Sequence, residues 1–418
     1  MDSSGNELWR KVYGNYTYSY YSGYGGALVN THDGNFVVAG AVQDTGTYDV
    51  HFLLFKFTPE GDSLWSKVYH SVNWKEGLEC VQDADSNFYI AGYRRHNTTQ
   101  QTDIIVAKMD RWGEMIWEKS YGGNYFDVAI SIDHSHSGNL ILGGTNSSLN
   151  PVEGYAQGYI FEIDTAGNML WEKTYGTVFE TFGLTPRRTS DGGYICRGGK
   201  DSTIVVGHYE DVSYVTKKDA QGNTLWRTFF TSTEAHTFWM AQEVKDGNYV
   251  AVGSALDEET EGYEDDGWIV KLDQQGGVMW ERRYQFHSGA PIVNRLRGFH
   301  PTDDGGIIAT GTTVTEKEPG PGWYTTFWLL KLDSVGCLSP GCDSLDTPVF
   351  HMPVEENTFT VYPNPAVDKV FAQAQLPSHV SGAEMKIFSL KGEELAHRTV
   401  VGNQIVHFRV GDYPAGMY

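Results

Sequence analysis

The sequence predicts an all-β protein: a six-bladed β-propeller closed by pairing of its N-terminal strand, followed by a small C-terminal β-sandwich. A unit of about 54 residues recurs along residues 1–336, a period that marks a supersecondary module stacked many times. Composition agrees, with 48 glycines and 14% aromatic residues among 418. That suits many short strands joined by tight turns.

The repeat is clearest at GNELW (5–9), GDSLW (61–65), GEMIW (113–117), GNMLW (167–171), GNTLW (222–226) and GGVMW (276–280). Its tryptophans, Trp9, Trp65, Trp117, Trp171, Trp226 and Trp280, stand 56, 52, 54, 55 and 54 residues apart. The pattern D-x-x-G-x-x-x-W resembles the tryptophan-docking repeat of pyrroloquinoline-quinone dehydrogenases and, more loosely, the Asp-box of sialidases. The quinone repeat has one more residue in its turn, so the tryptophans are expected to pack blade against blade.

Each unit reads as four strands. In the first, GALVN, FVVAG, HFLLFKF and DSLWSKVY are separated by the turn THDGN, a longer loop and the turn TPEG. Asp-Gly and Asn-Gly steps supply the positive φ that tight hairpins need, and the β-branched and aromatic segments between them are strands. Four antiparallel strands at this period make a propeller blade. The chain opens on an unpartnered Trp strand and ends its last unit at FWLLKLDSVG, one strand short. Pairing the two completes a sixth blade and leaves no long open edge.

The formal net charge of −22 argues against a non-specific hold on nucleic acid or anionic lipid, and no apolar run is long enough to span a membrane. Four cysteines are too few for a disulfide scaffold. Cys337 and Cys342, in CLSPGC, are expected to form one small disulfide in an oxidising compartment. No signal peptide precedes the first strand, so a secreted protein would begin after processing or be a fragment.

The tight turns fall at one end of the ring and every long connection at the other. Loops 15–24, 70–77, 122–127, 176–183 and 231–239 are crowded with aromatic and polar residues, a mix suited to a binding face. Tyr21, Trp74, Tyr125 and Trp239 offer flat surfaces to a sugar, with Glu180 and Glu234 beside them; the alternative is that the rings plug the mouth. The run DEETEGYEDDG offers carboxylates to calcium but lacks the D-x-D-x-D-G spacing, and reads as a solvated acidic loop. No other cofactor and no metal site is expected.

Aligned on their turns, the innermost strands place Leu28, Cys80, Ile132, Pro186, Ala241 and Phe299 at one apolar position. Alternation then turns Asp133, Arg187, Gln242 and His300 toward the central channel. Such a ring is expected to line a water-filled, self-neutralising channel. No nucleophile elbow, zinc-ligand pair or phosphate loop is present.

A polar linker (337–358) leads to a segment, 359–418, with Tyr362-Pro363-Asn364-Pro365, Val367 to Val370, KIFSLKG at 386–392, and Gly416 to Tyr418. This segment resembles the type A C-terminal sorting domain of the bacterial type IX secretion system, although it stops at Tyr418, before the family's last strand. The resemblance implies export through the outer membrane by that machinery, to the cell surface or the medium. The expected function is non-catalytic binding of a glycan or protein at the long-loop face. A polysaccharide hydrolase or lyase using loop acids such as Glu76, Glu180 or Glu234 is the alternative. It requires acids roughly 5–9.5 Å apart. A spacer without ligand is the third reading.

Overall fold

The computed structural model describes most of residues 11–338 and the strands that lie between Phe350 and Arg409. Outside the description lie residues 1–10, 12, 14–17, 23–27, 72, 97–98, 100, 150–155, 177–181, 206–207, 231–235, 257–264, 286–292, 317–322 and 339–349. So do 352–358, 363–368, 375–382, 389–393, 401–404 and 410–418. The chain divides into two compact domains, 1–351 and 352–418.

The first domain is all-β and propeller-like. Five consecutive four-stranded antiparallel units are followed by three strands of a sixth, Val293–Pro301, Ile307–Glu316 and Trp323–Leu332. Each innermost strand packs beside that of the next unit, and the apolar cores lie between blades. Val37, Ala39, Phe52 and Leu54 of the first blade, for example, bury against Cys80, Phe88, Ile90 and Ile105 of the second.

Local chemistry explains the turns. In the Asp-x-x-Gly turn at 110–113, one Asp110 carboxylate oxygen accepts the backbone N–H groups of Trp112 and Glu114 at 2.9 and 2.8 Å. Gly113 takes φ +78°, which only glycine adopts without strain. The hairpin turn before each second strand adds an ion pair to the third strand. Lys56–Asp33, Lys217–Asp191, Lys271–Asp246 and Lys331–Asp304 stand at 2.6–2.9 Å, and Lys108–Asp83 at 3.8 Å. The third blade replaces the lysine with Glu162 and the turn acid with hydroxyls, so that Ser135 and Ser137 donate to Glu162 at 2.7 and 2.8 Å.

Burial works against ionising these five aspartates, but the lysines and the turns' own donors outweigh it. All five are held below the ordinary Asp value, Asp191 at about 2. A depressed folded-state value contributes stability above the unfolded value of roughly 3.9, and that contribution is lost as pH falls below it. The melting temperature should therefore be flat from neutral pH to about 5 and fall below about 4. Scanning calorimetry across that range checks it, and Asp33→Asn with Asp246→Asn should shrink the fall.

The described repeat tryptophans, Trp65, Trp117, Trp171, Trp226 and Trp280, clasp neighbouring blades and are half-buried. Each lies against the glycine of the next blade's last turn. A Cβ added to Gly113, Gly167 or Gly222 would stand 3.0 Å from the ring of Trp65, Trp117 or Trp171, and Gly276 and Gly336 meet Trp226 and Trp280 more closely still. Four residues on, a tyrosine hydroxyl donates to the same glycine's carbonyl. Tyr69 reaches Gly113 at 2.7 Å, Tyr121 Gly167 at 2.8 Å, Tyr175 Gly222 at 2.7 Å and Tyr284 Gly336 at 2.6 Å. Where the fifth blade needs this bond, Phe230 has no hydroxyl, and Thr228 donates to Gly276 at 2.6 Å instead. Trp9 lies outside the described residues, but Tyr13 donates to Gly61 in the same manner.

Every innermost strand is interrupted at one level. In blades two to six the register shifts at Gly77/Glu79, Ala129/Ser131, Phe182/Thr185, Phe238/Met240 and Leu296/Gly298. In blade one the interruption widens: Tyr18–Ser22 and Leu28–Asn30 both pair with Phe36–Asp44. A glycine on the second strand makes room. A Cβ on Gly92, Gly144, Gly253 or Gly311 would lie 1.9 Å from the carbonyl oxygen of Glu76, Val128, Thr237 or Arg295. Because strands resume beyond the bulge, parts of the expected long loops are strand: Tyr21 lies in Tyr18–Ser22, Trp74 in Trp74–Gln82 and Trp239 in His236–Glu243.

Cys80 and Cys196 are buried and free. Cys337 is disulfide-bonded, and Cys342, the remaining cysteine, is outside the described residues. Within the expected linker, Phe350–His351 adds a short parallel strand to Val278–Gln285 of blade five. The second domain holds a three-stranded sheet (Phe359–Tyr362, Lys369–Ala374, Ile405–Arg409) and a hairpin (Ala383–Phe388, Glu394–Val400). Tyr362 ends its first strand; Pro363, Asn364, Pro365, Gly416 and Tyr418 fall outside the description.

Candidate functional site

A bulge leaves one residue unpaired and re-aims its side chain. Here the bulge residues of five successive blades, Leu78, Ile130, Gly183, Trp239 and Arg297, all line one cavity of about 490 Å³. That volume lies within the range of ligand sites. Phe126, Val128 and Met240 extend the apolar wall, and Tyr93, Thr102, Thr145 and Thr185 add polar groups. Phe126 and Trp239 leave ring surface exposed.

Five charged groups complete the lining: Glu79, Arg95, Arg187, Arg197 and Arg297. Glu79 is buried and fully engaged. Arg187 grips its carboxylate with both terminal nitrogens, one at 3.0 Å, and the Ile132 N–H donates to it at 2.9 Å. Arg187 also donates to the Ile132 carbonyl at 3.3 Å, so this cluster ties blades two, three and four together. Burial raises the Glu79 carboxyl against the pull of Arg187. Arg197 is lowered to about 10 by burial and by the adjacent Arg187, and its buried Nε has no hydrogen-bond partner.

Two guanidinium groups are stacked on indoles. Arg95 lies 4.6 Å from the centre of the Trp74 ring, its cross-strand partner, and Arg297 lies 3.9 Å from that of Trp239. A guanidinium over an indole face is attracted by the ring's electrons and held against it.

Of the expected ligand-binding residues, the cavity takes in Trp239 alone. Trp74 acts one step back, beneath Arg95. Tyr125 is half-buried, with its backbone N–H on Ser148 at 3.1 Å, and its neighbour Phe126 supplies the ring instead. Tyr21 lies in strand Tyr18–Ser22 of blade one, and Glu180 and Glu234 lie outside the description. Of the expected channel ring, only Arg187 reaches the cavity. Asp133 accepts the N–H groups of His134 and Arg188 at 2.7 and 3.2 Å, Gln242 is half-buried and His300 exposed. Leu28 departs from its aligned partners, 55% exposed where Cys80, Ile132 and Ala241 are buried. Among the described residues no three His, Cys, Asp or Glu side chains gather to hold a metal. Of the acidic run, Asp265 pairs with Arg295 at 2.7 Å.

Residues 360–418 match the family described as "Secretion system C-terminal sorting domain". The tail is a type IX secretion sorting domain. Such a domain directs the chain it ends to the cell surface or the extracellular space, and among the described residues no helix is long and apolar enough to cross a membrane. No curated protein matches this chain. Among solved structures, a puromycin hydrolase is 11% identical over 90% of this chain, with a TM-score of 0.44; the chain spans 53% of that protein's length. A polysaccharide lyase of family PL25, an ulvan lyase, is 10% identical over 94% of this chain and 96% of its own, TM-score 0.43. A xylan β-1,4-xylosidase from Bacillus halodurans C-125 is 9% identical over 95% and 92%, TM-score 0.34. Likenesses this distant bear on neither substrate nor chemistry.

Proposed function

We propose that this exported protein is a non-catalytic binding module that holds a glycan in the cavity that the bulges line. The observation that carries the reading is the row of bulges, which turns Trp239 and Arg297 out of the blade cores into one concave, partly apolar site. Flat rings cover the C–H faces of sugars while threonines and arginines bond the hydroxyls. Most glycoside hydrolases use a pair of carboxyl groups. Among the described lining residues the only carboxylate is Glu79, and Arg187 already occupies it. Replacing Trp239 by Ala should weaken retention on insoluble polysaccharide tenfold or more, by the loss of roughly 1.4 kcal/mol or above, with the circular dichroism spectrum unchanged. Unaltered retention, or new reducing ends released from the polysaccharide, would refute the binding-module reading.

We also infer that the ring closes with six blades, residues 7–13 completing the last. Among the described residues, the sixth blade offers an unpaired strand edge at Trp323–Leu332, with Phe327 59% and Leu329 38% exposed. Leu28 of the first blade is 55% exposed where the aligned Cys80, Ile132, Ala241 and Phe299 are buried, so both terminal blades expose apolar surface at positions that internal blades bury. Tyr13 and Lys11 engage the first blade's turn at Gly61 and Asp62, the station that Tyr284 of blade five takes against blade six.

A further inference from the structure

We propose that the cavity selects acidic saccharides, with Arg197, Arg95 and Arg297 receiving a carboxylate or sulfate while Trp239 and Phe126 cover the sugar ring. This inference rests on the glycan-binding reading and adds the charge of the ligand to it. The chain carries 53 acidic against 31 basic residues, yet the cavity lining reverses that balance, with four arginines and one glutamate. Glu79 cannot neutralise the cluster, because both its oxygens are taken by Arg187 and the Ile132 N–H.

Besides Arg187, three guanidinium groups line the cavity, those of Arg95, Arg197 and Arg297. Arg95 and Arg197 form no ion pair with any described carboxylate, and the Nε of each is buried without a hydrogen-bond partner. Both side chains are half-buried, and a buried polar nitrogen left without a partner costs folding free energy. Accumulating several round one cavity makes physical sense where a bound anion completes the set. The pressure is visible at Arg197, whose proton affinity falls under burial and the field of Arg187.

The aromatic platforms decide what kind of anion fits. Arg95 lies over Trp74 and Arg297 over Trp239, and the planar guanidinium fork is suited to two-pronged bonding of a carboxylate or a sulfate. The rings beside them need a ligand with an apolar face, which inorganic phosphate lacks. The net charge of −22 disfavours a densely charged polymer such as a nucleic acid. An acidic sugar, with one charged group per ring and C–H faces between, satisfies both conditions.

The test is calorimetric titration of the full chain with three probes: digalacturonate, a chondroitin sulfate disaccharide and neutral cellobiose. The acidic probes should bind about tenfold tighter or more than cellobiose, and added salt should erode that advantage. Arg197→Gln and, separately, Arg297→Gln should each lower the ratio of acidic-probe to cellobiose affinity severalfold, whatever they do to cellobiose binding itself, with the circular dichroism spectrum unchanged. If Arg197→Gln does not fold, Arg297→Gln and Arg95→Gln, nearer the rim, carry the test. Preference for carboxylate or for sulfate alone supports the proposal and names the acid. Equal binding of cellobiose and the acidic probes, still dependent on Trp239, overturns acid selection and leaves the glycan-binding reading standing. Absence of binding to all three overturns both.

Discussion

Arg187→Ala should destabilise the first domain by about 3–5 kcal/mol, the usual consequence of removing one partner from a buried ion pair. The variant keeps Glu79, 4% exposed, with the Ile132 N–H as its remaining donor among the described contacts. Burial already pushes this carboxyl upward, and Arg187 is the main force opposing it. Without the arginine, Glu79 folds most readily as the neutral acid. Its folded-state value then lies further above the unfolded one, so the penalty grows as pH rises through the unfolded value toward the folded one. Urea melts should accordingly show a larger loss at pH 7.5 than at pH 5. Replacing both partners, Glu79→Met with Arg187→Met, should recover much of the stability, since two well-packed apolar side chains need no compensation. A single variant within about 1 kcal/mol of the parent would show that water, not the ion pair, satisfies Glu79.

Much of the framework follows from short-range sequence. The Asp and Gly of each turn act within four residues of one another, through the carboxylate that caps the turn and the positive φ that closes it. The Trp and the Tyr four residues on act on the next blade at a fixed period. These features repeat because the same local geometry recurs, and a periodic sequence displays them directly. The site is less legible. Strict alternation assigns the residues two before Cys80, Ile132, Ala241 and Phe299 to the apolar face between blades, and the bulge overrides it. One extra residue flips the facing of everything beyond it, and so Leu78, Ile130, Trp239 and Arg297 enter the cavity.

The aligned sequences do contain the signal. A Trp and an Arg at that position in successive blades are poor choices for a core between sheets, and the glycine opposite leaves room for a displaced carbonyl. Arg95 and Arg197 lie on second strands, where no alignment of innermost strands looks. Their convergence with Arg297 on one cavity depends on how blades two, four and six pack, which spacing along the chain does not display. Trp74 illustrates the same limit from the other side: an aromatic residue chosen for a ligand turns out to support an arginine.

Deleting residues 1–13 should lower the melting temperature of the first domain by roughly 10 °C and broaden its transition. Under the proposed closure, strand 7–13 supplies the fourth strand of blade six and brings Trp9 to the glycine of the first blade's turn, as Trp65 stands to Gly113. Fully burying each large apolar side chain stabilises by about 1.5–3 kcal/mol, and the apolar surface at Leu28, Phe327 and Leu329 is covered in the same step. Removing the strand also reopens the ladder along Trp323–Leu332, a row of unpaired N–H and C=O groups that invites edge-to-edge association. The deletion should therefore shift the protein toward dimers or larger species on size exclusion. A milder variant separates closure from a merely local role. Tyr13→Phe removes the hydroxyl bond to Gly61, worth about 0.5–1.5 kcal/mol, and should leave the chain monomeric. If instead the deletion and Tyr13→Phe have the same small effect, the N-terminal strand is an ornament on blade one, and the ring is open between its first and last blades.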